Sequence, residues 1–125
     1  MKHDEWSGDL FASIDAKDTR RFLAFLTDDA EFVFGNAPPA AGKRAIGAAV
    51  EGFFGTIRAS RHDIVRTWAQ PGHVICQGNV TYTRHDGSAI TLPFANILGM
   101  RDSLISDHRL YIDATPLFAS MSNPA

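Results

Sequence analysis

Cysteine is almost absent from this chain: Cys76 is the only one in 125 residues. One thiol closes no internal disulfide, so a disulfide-stapled scaffold is excluded, and the apolar alternating run around Cys76 reads as a buried, inert position. Basic clustering is missing too. The twelve Lys and Arg form no run longer than Arg20-Arg21 or Lys43-Arg44, and the formal net charge is −2. That distribution lacks the basic stripe a nucleic-acid surface requires. No apolar stretch approaches the roughly 18–20 residues of a membrane span, and the opening segment lacks the charged-then-apolar layout of a secretory signal. A cytoplasmic protein with neither nucleic acid nor membrane as partner is the resulting expectation. There is no Gly-x-Ser-x-Gly elbow, Cys–His dyad, Gly-x-Gly-x-x-Gly turn or internal repeat. His62, His73 and His85 stand apart with no His-x-His or helical pair, so neither a metal site nor a cofactor is expected.

What is present describes one folded domain. Hydrophobic residues make up 45% and charged residues 21% of the chain, the balance of an ordinary globular sequence rather than a disordered one. Residues 1–125 are read as a single domain with its core at about 4–118. Trp6, Leu10 and Ile14, with Phe11 beside them, give a helical stripe over Asp4–Ala16. Asp18 is placed to cap a second helix whose apolar side is Phe22, Leu23, Phe25 and Leu26, ended by Asp28-Asp29. A short strand fits Ala30–Phe34, and the segment Gly35–Gly42 with Pro38-Pro39 reads as a loop. The three–four spacing of Ala45, Ile46, Ala49, Val50, Phe53, Phe54 and Ile57 predicts a helix over Lys43–Ile57, in which Gly47 and Gly52 imply close packing.

Turn residues at Gln70-Pro71-Gly72, Asp86-Gly87 and Arg101-Asp102 then cut out four strands, Arg61–Ala69, His73–Arg84, Ala89–Arg101 and Leu104–Asp113, with a partly mobile tail after Pro116. Helices followed by an antiparallel meander make an α+β layout. Alternation divides the second long strand into an apolar side, Val74, Cys76, Val80 and Tyr82, and a polar side, Gln77, Asn79, Thr81 and Thr83. Pattern alone leaves open which side faces the helices. Nine Phe against two Trp and two Tyr bring aromatic area without hydroxyls, which fits either an apolar cavity or a dense core.

Three segments carry a resemblance: Leu26-Thr27-Asp28-Asp29-Ala30-Glu31-Phe32, Gly42-Lys43-Arg44-Ala45-Ile46, and Tyr111-Ile112-Asp113-Ala114-Thr115-Pro116-Leu117. In order and spacing they resemble the nuclear transport factor 2-like superfamily in its SnoaL-like branch, whose members include polyketide cyclases, limonene epoxide hydrolases and ketosteroid isomerases. The resemblance implies a cystatin-like roll: a cone-shaped, mainly antiparallel curved sheet wrapped around three helices from the N-terminal half, enclosing a pocket, with pairing of two chains through their sheets. Val74, Cys76, Val80 and Tyr82 are expected to lie away from the pocket and need such cover.

The family's catalytic positions carry over poorly. Where epoxide hydrolase-like members have an arginine and two aspartates, this chain has Asn79, Thr81 and Leu110; where isomerase-like members have a tyrosine and an aspartate, it has Leu10 and Phe34. The proton-donating acid of the isomerases falls near Phe94, on a strand without a carboxylate. The pocket face implied by the resemblance comprises Phe32, Phe34, Asn79, Thr81, Thr83, Leu92, Phe94, Asn96, His108 and Leu110, with Phe11 above. Such a lining suits a small, mainly apolar organic ligand. His108 is its one group able to exchange a proton near neutral pH, so the expected chemistry is cofactor-independent isomerisation, cyclisation or dehydration with His108 as proton carrier. The alternatives are a structurally bonded His108 and a non-catalytic binding or dimerisation domain.

Overall fold

Asp18 does cap a helix: its carboxylate accepts the backbone N–H of Arg21 at 3.1 Å. The computed structural model describes residues 3–119. Within them the chain forms α1 (His3–Asp15), α2 (Thr19–Leu23), β1 (Leu26–Phe34), β2 (Ala40–Ala41), α3 (Lys43–Thr56), β3 (Ala59–Gln70), β4 (His73–Thr83), β5 (Ala89–Arg101), β6 (Leu104–Tyr111) and α4 (Thr115–Ala119). The six strands make one sheet in the order β2-β1-β6-β5-β4-β3. The meander β3 to β6 is antiparallel throughout, whereas β1 lies parallel to β6 and pairs Phe32 with His108 and Phe34 with Leu110. The α+β class and the curved sheet packed on helices are as expected.

Several local expectations are corrected. The second helix stops at Leu23, and Leu26 starts a strand because it pairs with Ile105 of β6. That pairing captures the residues that helical periodicity assigns to α2. Inside the proline loop, Ala40 and Ala41 pair with Phe32 and Glu31. Gly47 meets a Leu23 methyl, where an added Cβ would sit 3.3 Å away, but Gly52 faces open space. The segment after Pro116 continues as α4 with Leu117 fully buried, and the rest of the expected mobile tail lies outside the described residues.

One face of the sheet, in contact with the helices, holds the core. Val74, Cys76, Val80 and Tyr82 are buried on this face alongside Leu92, Phe94, Asn96, Leu98 and His108. The expectation that the four β4 residues lie away from the pocket is therefore overturned. Their buried partners are helix and strand side chains of the same chain, with Phe53 against Tyr82 at 5.4 Å. Gly78 on this face is required by close approach. A Cβ there would sit 2.2 Å from the Asp63 carbonyl oxygen, beside the bulge between Ile64 and Arg66 in β3. The outer face carries the register row Trp68, Ile75, Ile97 and Arg109. Arg109 there bonds Asp107 at 3.0 Å and Glu31 at 3.1 Å.

Candidate functional site

A cavity of about 270 Å³ lies between the helices and the inner face of the sheet. Phe11 and Ile14 of α1, Phe22 of α2, and Ala49, Val50, Phe53 and Phe54 of α3 form one side; Phe32, Phe34, His62, Tyr82, Asn96, His108 and Leu110 form the other; Ala37 and Phe118 complete the rim. None of these side chains is formally charged at neutral pH if the histidines are neutral. Four polar groups interrupt the apolar wall, namely His62, Tyr82, Asn96 and His108.

Of the residues expected from the sequence, the structure brings Phe11, Phe32, Phe34, Asn96, His108 and Leu110 together around the cavity. Leu92 and Phe94 share their face but sit in the core behind the lining, Phe94 packing edge-on against His62 at 5.3 Å. Asn79, Thr81 and Thr83 lie on the opposite face. Their placement is a correction with a simple cause: burial of Val80 and Tyr82 turns the alternate residues outward, and the register sets Asn79 against Pro93 and Thr81 against Thr91. The Thr81 and Thr91 hydroxyls bond each other at 2.8 Å on the exposed side.

The structure adds a group that sequence reasoning misses. Asp15, the last residue of α1, accepts three hydrogen bonds from β3: the Ser60 hydroxyl at 2.8 Å, the His62 backbone N–H at 2.9 Å and the His62 ring Nδ1 at 2.6 Å. Burial pushes the Asp15 carboxyl upward, but the hydrogen bonds and charge of His62, helped by Ser60, outweigh it and hold the group below its usual range. An ionised carboxylate only accepts, so the proton of the neutral imidazole resides on Nδ1 and Nε2 keeps its lone pair. The ring is clamped by Phe11 at 5.0 Å as well as Phe94. A signal for this pair exists: Phe11 and Asp15 are four apart on α1 and so share its pocket-facing side. The partner residue is 47 positions away, which no local spacing reveals.

The other ring differs in its polar surroundings. His108 is 2% exposed and Asn96 1% exposed, and among the described residues neither ring nitrogen of His108 nor Oδ1 of Asn96 has a hydrogen-bond partner. Phe22 at 5.7 Å and Phe32 at 5.0 Å hold the imidazole between them. Burial drives the His108 pKa down to about 4, outweighing the opposing pull of its own main chain and of the Asp107 charge. His108 is therefore a neutral donor and acceptor at physiological pH. Burial, and secondarily the charge of Asp15, pushes the Tyr82 phenol above its ordinary value, so it remains protonated.

The architecture is similar to that of an NTF2-like protein of unknown function from Burkholderia pseudomallei K96243, at 13% identity over 98% of this chain and 100% of that one, with a TM-score of 0.86. It is similar also to a protein of ketosteroid isomerase-like fold from Catenulispora acidiphila DSM 44928, at 14% identity over 94% and 92% with a TM-score of 0.84. A third is an LEH-like epoxide hydrolase from M. tuberculosis, at 16% identity over 90% and 84% with a TM-score of 0.75. Identities this low establish a shared fold and nothing finer. No curated protein matches the sequence. Residues 8–108 match the model of the SnoaL-like domain, and the chain belongs to that family.

Proposed function

We propose that the protein binds a small, uncharged, mainly apolar organic metabolite and moves a proton on it, in an isomerisation, cyclisation or dehydration that needs no cofactor. The observation that carries this reading is His62 on the wall of a mainly apolar cavity, with the Asp15 carboxylate bonded to its ring. A carboxylate that fixes the tautomer of an imidazole and stabilises its protonated form is the arrangement general-base catalysis uses. Nε2 of His62 takes a proton from a carbon or hydroxyl of the ligand, Asp15 balances the imidazolium, and the same nitrogen returns the proton at a second position. The protonated Tyr82 phenol supplies a donor on the neighbouring strand. His108, the proton carrier expected from the sequence, is poorly suited to that role because its burial keeps it neutral and weakly basic. It serves better as a polar contact.

Enolisable bicyclic ketones test this reading without knowledge of the physiological substrate. Deuterium uptake next to the carbonyl of 1-tetralone in D2O, followed by NMR, is expected to be accelerated by the wild-type chain. Substitutions His62→Gln and Asp15→Asn should each lower the enzymatic rate by roughly 10²-fold or more. Uptake no faster than in buffer, with the ketone shown to be bound, would reduce the cavity to a non-catalytic binding site.

The pairing of two chains through their sheets belongs to the same proposal, on a corrected basis. Support comes from the outer face, where Trp68 on β3, Ile97 on β5 and Tyr111 on β6 are exposed.

A further inference from the structure

Asn96 and His108 are two polar residues that the proton-transfer scheme leaves without a task. They occupy adjacent strands on the inner face, with Asn96 opposite Leu110 and His108 opposite Leu98. Diagonal neighbours of this kind have Cα atoms roughly 7–8 Å apart and side chains that can reach one small group between them. Both line the cavity, both are almost completely buried, and three of their polar atoms lack a hydrogen-bond partner among the described residues. Each unsatisfied buried polar atom costs a fold on the order of 1–3 kcal/mol. Leucine and phenylalanine would fill these positions without that penalty, as they do at Leu98, Leu110 and Phe32 around them. The pair is therefore best explained by a partner that enters the cavity.

The donors and acceptors define that partner. Neutral imidazole offers one N–H and one bare nitrogen, and Oδ1 of Asn96 offers an acceptor. A carbonyl or ether oxygen could take the imidazole proton but would leave Asn96 Oδ1 unanswered. An ammonium group could donate to both acceptors, yet no lining carboxylate balances its charge. A hydroxyl donates once and accepts at the same oxygen, which answers Asn96 Oδ1 and the imidazole N–H together, two of the three atoms. Size narrows the class further: a cavity of roughly 150 Å³ accommodates benzene, so about 270 Å³ corresponds to one substituted ring or two fused rings.

We infer that Asn96 and His108 form a hydroxyl-recognition pair for an uncharged one- or two-ring ligand, the hydroxyl donating to Asn96 Oδ1 and accepting from the His108 N–H. Seated there, the ligand is fixed at one end while another of its atoms is presented to His62. This inference rests on the cavity being a small-molecule site and names the chemistry that selects its occupant. It assigns Asn96 and His108 to specificity rather than to proton transfer.

The test compares 2-naphthol, naphthalene and 2-methoxynaphthalene by titration calorimetry. Wild-type protein is expected to bind 2-naphthol at least about tenfold more tightly than either compound lacking the hydroxyl. In Asn96→Leu and His108→Leu that ratio should fall below about threefold, with naphthalene affinity kept or improved. Ratios unchanged in both variants would overturn the inference. If the variants do not fold, as read by circular dichroism, the wild-type protein decides through the 15N NMR signals of the His108 ring: a shift with 2-naphthol and none with naphthalene supports the pair, and equal responses refute it. Equal binding of all three compounds would remove the hydroxyl assignment alone. Failure of all three to bind would remove the small-molecule site as well.

Discussion

Two imidazoles in one cavity behave differently because one has a carboxylate beside it and the other does not. Asp15 accepts the Nδ1 proton of His62 at 2.6 Å, whereas His108 is enclosed by phenyl rings and carries a pKa of about 4. The consequence for stability has a definite sign. Between about 4 and the unfolded-state value near 6.5, the unfolded chain binds a proton that the folded chain refuses, so stability is full above that window and declines as pH falls through it. The shift corresponds to roughly 3 kcal/mol lost by pH 4. Urea unfolding at pH 7, 5.5 and 4 should show this decline in the wild type and lose it in His108→Leu; equal slopes in the two proteins would contradict the burial of a neutral ring. Asp15 acts in the same sense but lower on the scale, its stabilisation present above the unfolded-state value near 3.8 and lost in stronger acid. At this scale the sequence discloses His108 and Asn96, because each interrupts an apolar alternation. It conceals Asp15–His62, because neither residue breaks a local pattern and only the docking of α1 on β3 brings them together.

Elements were legible in proportion to the length of their periodic signal. The bounds of α3 and β5 agree with the sequence reading to within a residue, while α2 and β1 trade residues around Leu26 because a non-local pairing with Ile105 competes with helical spacing. The two sides of β4 are separated correctly by alternation, yet the side that meets the helices is the apolar one, and positional analogy with relatives puts Asn79, Thr81 and Thr83 on the wrong side. Buried Gly78 is the marker that resolves the ambiguity, since its neighbour across the ribbon leaves no room for a side chain. Gly78→Ala, with its Cβ 2.2 Å from the Asp63 oxygen, should destabilise the fold by about 2 kcal/mol or more in urea. A change below about 0.5 kcal/mol would mean that the bulged β3 simply moves aside.

At the level of the whole molecule, the class was readable from the order of helices and strands, but the parallel contact of β1 with β6 joins segments at opposite ends of the chain and has no local signature. Among the described residues the helices pack on the inner face, and on the outer face of β3 to β5 the Trp68, Ile75, Ile97 row runs across three strands. Sedimentation at micromolar concentration is expected to give twice the 13.7 kDa chain mass, and Ile97→Glu, which sets a charge at the β5 end of that row, should return the monomer. A wild-type monomer under these conditions would leave the outer face as ordinary surface.

The closing wall of the cavity has one more property. Arg84, itself buried, donates to the main-chain oxygens of Leu117 at 3.2 Å and Pro116 at 3.3 Å and to the Ser88 hydroxyl at 3.1 Å. It thereby holds the short turn that presents Phe118 to Phe53 at 6.4 Å. Because the grip falls on backbone oxygens, it is indifferent to which side chain follows Leu117. Position 118 can be exchanged for a smaller, larger or polar residue while the anchoring persists, so one scaffold can retune the contents of its hollow from the rim without rebuilding its interior.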